Sequence, residues 1–219
     1  MAKYPVVMQD PYIDPKSGLL RNELGITDQA ELDRAETAFS AIRACELEEE
    51  PIPINFDLDY LRHVHRTLFG AVYSWAGELR TVDLFKGNMR FANVNMLESA
   101  GHQIFQELKK EQNLHGLDTD MFSKRAGYYL GEINVLHPFR EGNGRSQRVF
   151  IGQLARANGY CIDWVNVSRD EMTRASIDAY YGNSETMSDL IRANISQHDQ
   201  SIERVQSITS GVSRTRRGR

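Results

Sequence analysis

Apolar residues recur at helical spacing over most of the chain and at strand spacing in one short stretch. Leu32, Ala35, Phe39 and Ile42 form the first stripe, opened by Thr27-Asp28 with Glu31 placed for a capping box and stopped by Pro51. Asp57 reads as the cap of a second helix whose apolar face is Leu58, Leu61, Val64 and Leu68. Then the period changes. Val82 and Leu84 alternate with polar residues, Gly87-Asn88 is a hairpin-turn dipeptide, and Met89 and Phe91 alternate beyond it. This is the one strand signal, and a lone hairpin is too marginal in water to be a sheet core. Helical patterns resume over 96–113, 119–136, 144–158 and 169–206. The 119–136 helix, capped by Thr119 or Asp120, turns Ala126, Tyr129, Leu130, Ile133 and Leu136 to one face. It must end near Leu136, because Pro138 drives His137 out of the α region. The following helix faces Val149, Gly152 and Ala155 inward and stops at Asn158-Gly159. The expected fold class is all-α, a helical bundle carrying one β-hairpin over 82–91.

Composition bounds this picture without changing it. A chain of 219 residues fits one domain and buries a core that needs no staples. We divide it into an irregular, proline- and glycine-bearing arm over 1–26, a helical domain over 27–206 and a basic tail over 207–219. Arg214, Arg216, Arg217 and Arg219 crowd that tail, which reads as a solvated, disordered end. No run approaches the 18 or so apolar residues of a membrane span, and Met1-Ala2-Lys3-Tyr4-Pro5 is no signal peptide. The net charge of −4 speaks against non-specific nucleic-acid binding. Cys45 and Cys161 fit neither a disulfide framework nor a zinc site, and read as buried or semi-buried thiols in a reducing cytosol. His63 and His65, two apart, fall on different helix faces and read as surface histidines, as do His102, His115 and His198. Trp75 reads as a core aromatic closing the Ala76-Gly77 turn.

Residues 137–148 carry the chemistry. Two helices joined by Gly142-Asn143-Gly144 leave free amides at the second helix's N-terminus, a ready anion site. Arg145 and Arg148, three apart, share one face of its first turn. The helix dipole disfavours a cation there by about 0.3–1 kcal/mol, so two arginines imply an anion such as a triphosphate. His137 stands at the rim of the same loop and can take a proton from a hydroxyl. Glu141 is a hard oxygen ligand suited to Mg²⁺ shared with phosphates. Base, anion cradle and metal ligand are most of what phosphoryl or nucleotidyl transfer asks of a protein.

The stretch His137-Pro138-Phe139-Arg140-Glu141-Gly142-Asn143-Gly144-Arg145-Ser146-Gln147-Arg148 resembles the signature of the Fic (Fido) family, H-P-F-x-[D/E]-G-N-G-R-x-x-R, at every specified position. The resemblance extends over roughly residues 20–200 and implies the Fic/Fido helical bundle with its hairpin flap. It implies a protein adenylyltransferase: His137 the general base, ATP the AMP donor, and a Ser, Thr or Tyr hydroxyl of a target protein the acceptor. Gly142, Asn143 and Gly144 match the anion hole, with the Asn143 side chain on phosphate oxygens; Glu141 matches the Mg²⁺ ligand and Arg145 and Arg148 the β- and γ-phosphate arginines. Phe139 matches a core anchor. The 82–91 hairpin resembles the flap that pairs with target backbone, its tip residues Lys86, Gly87 and Asn88 bordering nucleotide or target. Asn183 resembles an adenine-side residue of some relatives.

Many members carry an inhibitory helix, [S/T]-x-x-x-E-[G/N], whose glutamate pairs with the second motif arginine. Only Glu141 is followed by Gly or Asn here, and the residue four before it is His137, so no such helix is visible. The chain is therefore similar to the toxin half of toxin–antitoxin pairs, in which a small separate protein brings that glutamate. The resemblance implies such an antitoxin partner and a target among type II topoisomerase subunits, the gyrase B-type ATPase included. Two alternatives stand beside it. One is a different transfer on the same fold, kinase-like or moving UMP or phosphocholine; the other is a non-catalytic binding module.

Overall fold

The computed structural model describes residues 10–197. The tail expected over 207–219, residues 198–206 of the expected last helix and residues 1–9 of the arm lie outside the described residues.

Helix α1 (Gln29–Glu49) starts on Asp28, whose carboxylate accepts the Glu31 amide at 2.8 Å. Asp57 does the same for α2 (Leu58–Phe69), accepting from Tyr60 at 2.8 Å. Helices α3 (Leu97–Lys110), α4 (Thr119–Leu136) and α5 (Asn143–Ala157) follow. Asp118 caps α4, one position ahead of the expected residues. The single helix expected over 169–206 is two, α6 (Arg169–Tyr180) and α7 (Glu185–Asn194). Ser168 and Glu171 form a full capping box at the head of α6. Gly182, at φ +89°, takes the left-handed turn that separates the two helices without the penalty a Cβ would bring.

Strands β1 (Phe85–Lys86) and β2 (Met89–Arg90) pair antiparallel, Phe85 opposite Arg90 and Lys86 opposite Met89. The Phe91 amide lengthens the hairpin by donating to the Leu84 carbonyl at 3.1 Å. It is not the only strand pair. Strands β3 (Tyr160–Ile162) and β4 (Ile195–Gln197) form a second antiparallel sheet that local pattern does not announce. Three-residue strands are too short to display alternation, and the partners are far apart in sequence.

Helix α4 is the hub, with α3, α5, α6 and α7 packed around it. Its Ala126, Tyr129, Leu130 and Ile133 meet Leu61, Phe105, Phe150 and Leu154 in the main core. A smaller core joins Leu32 and Leu47 of α1 to Val64, Leu68 and Phe69 of α2. Two helices are rotated from the expected facing. In α1 the buried set is Leu32, Glu36, Ser40 and Leu47, while Ile42 is 59% exposed. In α5, Phe150, Ile151, Leu154 and Ala155 face inward, and Val149 and Gly152 line an open groove instead. Both cysteines are exposed, against the expectation of buried thiols.

The arm is more ordered than its composition suggests. An Ile13–Leu20 bridge folds it on itself, and buried Tyr12 accepts the Thr81 amide at 3.0 Å through its hydroxyl. No helix among the described residues is long and apolar enough to cross a membrane.

Candidate active site

The end of α4 sets the first functional side chain. His137 is the C-cap, held left-handed at φ +47°, a conformation that costs a residue with a Cβ about 1–2 kcal/mol. Its ring stacks on Phe91 of the hairpin at 3.7 Å between centroids. Nδ1 lies 3.2 Å from the Asn134 carbonyl, which can only accept, so Nδ1 carries the proton and Nε2 the lone pair. Burial pushes the imidazole pKa down to about 3; the Asn134 bond opposes this, and the charges of Arg80 and Lys86 reinforce it. His137 is a neutral base of fixed tautomer.

The loop that follows is locked from within. Asn143 accepts the Phe139 amide at 2.9 Å and donates to the Phe139 carbonyl at 2.7 Å, with 2% of its surface exposed. These two bonds staple the loop. Gly142 is obligatory on two counts. Its φ is +80°, and a Cβ would lie 2.5 Å from the Phe69 ring. Because Gly142 offers α5 no side-chain cap, the helix's leading amides remain for an anion.

These elements border a cleft of about 650 Å³. His137, Glu141, Gly142, Gly144, Arg145 and Arg148 form one wall, and Lys86, Met89 and Phe91 of the hairpin another. Trp164, Val167, Met172, Ile177 and Tyr180 make an apolar far end that suits a planar base. Tyr180 also accepts the Arg90 amide at 3.3 Å, tying β2 to α6. Three expected residues are not brought in. Gly87 and Asn88 stand exposed at the hairpin tip, outside the cleft lining. Asn183 sits in the α6–α7 turn, where its side chain accepts the Glu185 amide at 2.9 Å. The break at Gly182 places Asn183 in that turn, outside the cleft lining.

The two arginines differ in their surroundings. Arg145 is paired with buried Glu36 of α1, donates to Ser40 Oγ at 3.1 Å, and lies 4.6 Å over the Phe69 ring. Arg148 forms no hydrogen bond or ion pair among the described residues. Burial lowers its pKa, and the neighbouring Arg145 charge adds to the effect, so an anion beside it would relieve both. For Mg²⁺ the residues fit. No cluster of three or more metal-binding side chains occurs among the described residues, and Mg²⁺ is commonly held by one carboxylate with phosphate oxygens and water. Glu141 lines the cleft, with Oε1 accepting the Gly142 amide at 3.0 Å.

A family model described as Fic/DOC matches residues 55–155. A protein of Escherichia coli K12 named "Probable protein adenylyltransferase Fic" is 34% identical over 193 residues, 88% of this chain and 96% of that protein. The chain belongs to the Fic/DOC family. The protein adenylyltransferase VbhT of Bartonella schoenbuchensis is 54% identical over 203 residues, which are 93% of this chain but 42% of VbhT. This chain therefore spans less than half of that relative's length. Among solved structures, that of the BepC effector of Bartonella tribocorum with bound AMPPNP has a TM-score of 0.82 at 29% identity, covering 88% of this chain and 99% of the chain in that structure. The Fic domain of a Bartonella quintana Bep effector with bound ADP gives 0.82 at 30%, covering 89% and 98%.

Residues outside the Fic motif complete this site, and sequence reasoning passes over them. Glu36 faces Arg145 although the stripe of α1 was drawn through its apolar neighbours. His65, expected at the surface, is fully buried; its Nδ1 accepts the Gly77 amide at 2.8 Å. Nε2 therefore carries the proton and donates to the Glu141 carbonyl at 2.9 Å, while the ring stacks on Phe139 at 3.8 Å. Arg140, the unspecified position of the motif, reaches back to Asp10 at 2.8 Å. A signal for His65 does exist: it shares the inward face of α2 with Leu61 and Leu68.

Proposed function

We propose that this chain is a protein adenylyltransferase that moves AMP from ATP to a Ser, Thr or Tyr hydroxyl of a target protein in the cytosol. The observation that carries it is Arg148, a cation with no counter-charge among the described residues, beside helix amides without a side-chain cap and in one cleft with a histidine whose proton is on Nδ1. The relatives named above as adenylyltransferases and the AMPPNP and ADP held by its structural neighbours support the same reading.

The target hydroxyl gives its proton to His137 Nε2 as its oxygen attacks the α-phosphorus of ATP. The bond from that phosphorus to the bridging oxygen breaks, and pyrophosphate leaves. Arg148 and the leading amides of α5 hold the β- and γ-phosphates, which points the α-phosphorus toward His137. Glu141 would hold Mg²⁺, which neutralises charge on the departing pyrophosphate when bound. The apolar far end takes the adenine. Incubation with α-labelled and with γ-labelled ATP tests the reaction: label should reach protein only from the α position. Transfer from the γ position would make the chain a kinase, and the His137→Ala variant should lose at least about 10²-fold of the activity.

The target docks as an extended segment along the 82–91 hairpin, by backbone pairing. Leu84 is itself buried, so Lys86→Pro, at an exposed ladder position, is the cleaner probe. It should abolish labelling of the target while Mg-ATP binding persists.

Control comes from a small helical partner that sets a glutamate against Arg148, where the γ-phosphate would lie. An apolar groove of about 740 Å³ between α1, α5 and residues 160–165 opens beside Arg148 and supports this docking place. The chain is then the toxin of a toxin–antitoxin pair, with a type II topoisomerase subunit as its target. Expression without the partner should arrest growth, and His137→Ala should relieve the arrest. Harmless expression of active enzyme would remove the toxin role and leave the transferase standing.

A further inference from the structure

One buried residue outside the motif touches both the hairpin and the catalytic histidine's backbone. Arg80 has a fully buried side chain. Its Nε donates to the His137 carbonyl at 2.8 Å, and one Nη2 hydrogen reaches toward the Leu136 carbonyl at 3.4 Å. Nη1 donates to the Val82 carbonyl at 2.7 Å, and Nη2 also donates to the Ala92 carbonyl at 2.5 Å. Val82 and Ala92 are the two feet of the hairpin; Leu136 is the last residue of α4 and His137 its C-cap. The main chain repeats the connection, since the Arg80 amide donates to the Pro138 carbonyl at 2.9 Å and the Ala92 amide to Val135 at 3.1 Å.

The choice of residue follows from what the place requires. The last carbonyls of a helix lack partners and carry the negative end of its dipole, which favours a cation. A buried cation must have its donors satisfied, and only a planar fork reaches carbonyls on several chain segments at once. A lysine supplies the charge but not the fork. For structure alone, a cap on α4 would have been enough. The additional bonds to both hairpin feet tie the hairpin to the His137 backbone through one side chain.

We propose that Arg80 is a positioning residue that sets the reach from the hairpin edge to His137, and so selects which hydroxyl of a docked segment is modified. This rests on the hairpin being the docking edge. A displacement of about 1 Å at a reacting centre can cost on the order of 10²-fold in rate. A shift along an extended segment also exchanges one side chain for its neighbour, since strand residues are about 3.3 Å apart.

The test is the Arg80→Lys variant, assayed with a target protein that the unaltered chain labels. Mg-ATP affinity should stay within about twofold, and KM for the target should change little, because nucleotide contacts and the ladder remain. The kcat for labelling should fall by about 10–100-fold, with part of the AMP found by mass spectrometry on a hydroxyl one or two residues away. A kcat and a modified position equal to those of the unaltered protein would overturn the proposal, as would a loss confined to thermal stability. Lys86→Pro separates this from the docking reading. If that variant still labels the target fully, docking fails; if it does not, and Arg80→Lys behaves as the unaltered chain, only the role of Arg80 fails. Should Arg80→Lys not fold, amide hydrogen exchange in the unaltered protein decides. The Phe91 and Ala92 amides should open together with that of His137, and a hairpin that opens independently would overturn the coupling.

Discussion

His137 shows how an environment fixes the charge and tautomer of an imidazole. Burial and two nearby cations hold the ring neutral, with a pKa of about 3, and buried His65 is held to about 3 chiefly by burial. The folded-state values lie below the unfolded value of about 6.5, so between these pH limits the unfolded chain binds more protons. The contribution of each histidine to stability is therefore fully present above about pH 6.5 and is lost as pH falls toward 3. At pH 5.5 the expected loss is about 1 kcal/mol per histidine relative to neutral pH. Urea unfolding at pH 7.5 and 5.5 checks this, and a midpoint that does not move would contradict it. Glu36 makes a second prediction at this scale. Glu36→Gln keeps a hydrogen-bonding group beside Tyr73, whose hydroxyl donates to Glu36 at 2.8 Å, but removes the counter-charge of Arg145. Arg145 is about a quarter exposed, so the cost should be less than the 3–5 kcal/mol of a wholly buried pair, about 1–3 kcal/mol. Mg-ATP should then raise the melting temperature by more than it raises that of the unaltered chain, because two cations await phosphate.

The helices that build the site do so through their ends. The C-terminus of α4 supplies the histidine and the N-terminus of α5 the amides, and the two are joined by a loop stapled through Asn143. Arg148 lies in the second turn of α5, and no hydrogen bond or ion pair among the described residues ties it to the fold. Arg148→Ala should leave the melting temperature without ligand nearly unchanged and reduce the stabilisation by Mg-ATP, through the loss of binding linkage. Thermal melts with and without nucleotide measure both; a large loss without ligand and an unchanged nucleotide response would make Arg148 structural. Much at this scale is legible in local pattern. The caps Asp28 and Asp57, the apolar face of α2 and the stop at Pro138 all read directly. The facing of α1 does not, because its inward side carries Glu36 and Ser40, polar residues that bonds to Arg145, Tyr73 and the Thr37 carbonyl make compatible with burial.

Across the whole molecule, Asp10 reaches the loop between α4 and α5. Asp10 and Arg140 form an ion pair with side chains only 5% and 3% exposed. Asp10→Asn should destabilise the chain by at least about 1 kcal/mol, since a charge-assisted bond is weakened in a buried place. Chemical denaturation checks this, and an unchanged midpoint would show the arm to be an ornament of the fold. The sequence by itself determined the helices as far as α5, the turn of the hairpin and the Fic motif over 137–148, but not the break at Gly182 that divides α6 from α7. Period, caps and turns are local, and the motif is contiguous, so neighbours along the chain suffice to read them. Only the tertiary structure decided that Glu36 holds Arg145, that His65 holds Glu141, that Arg80 joins the hairpin to His137, and that β3 finds β4. Each of these pairs a buried polar group or strand edge with a partner distant in sequence. The free energy of such a pair depends on what excludes water from it, which is a property of the packed molecule and not of any one segment.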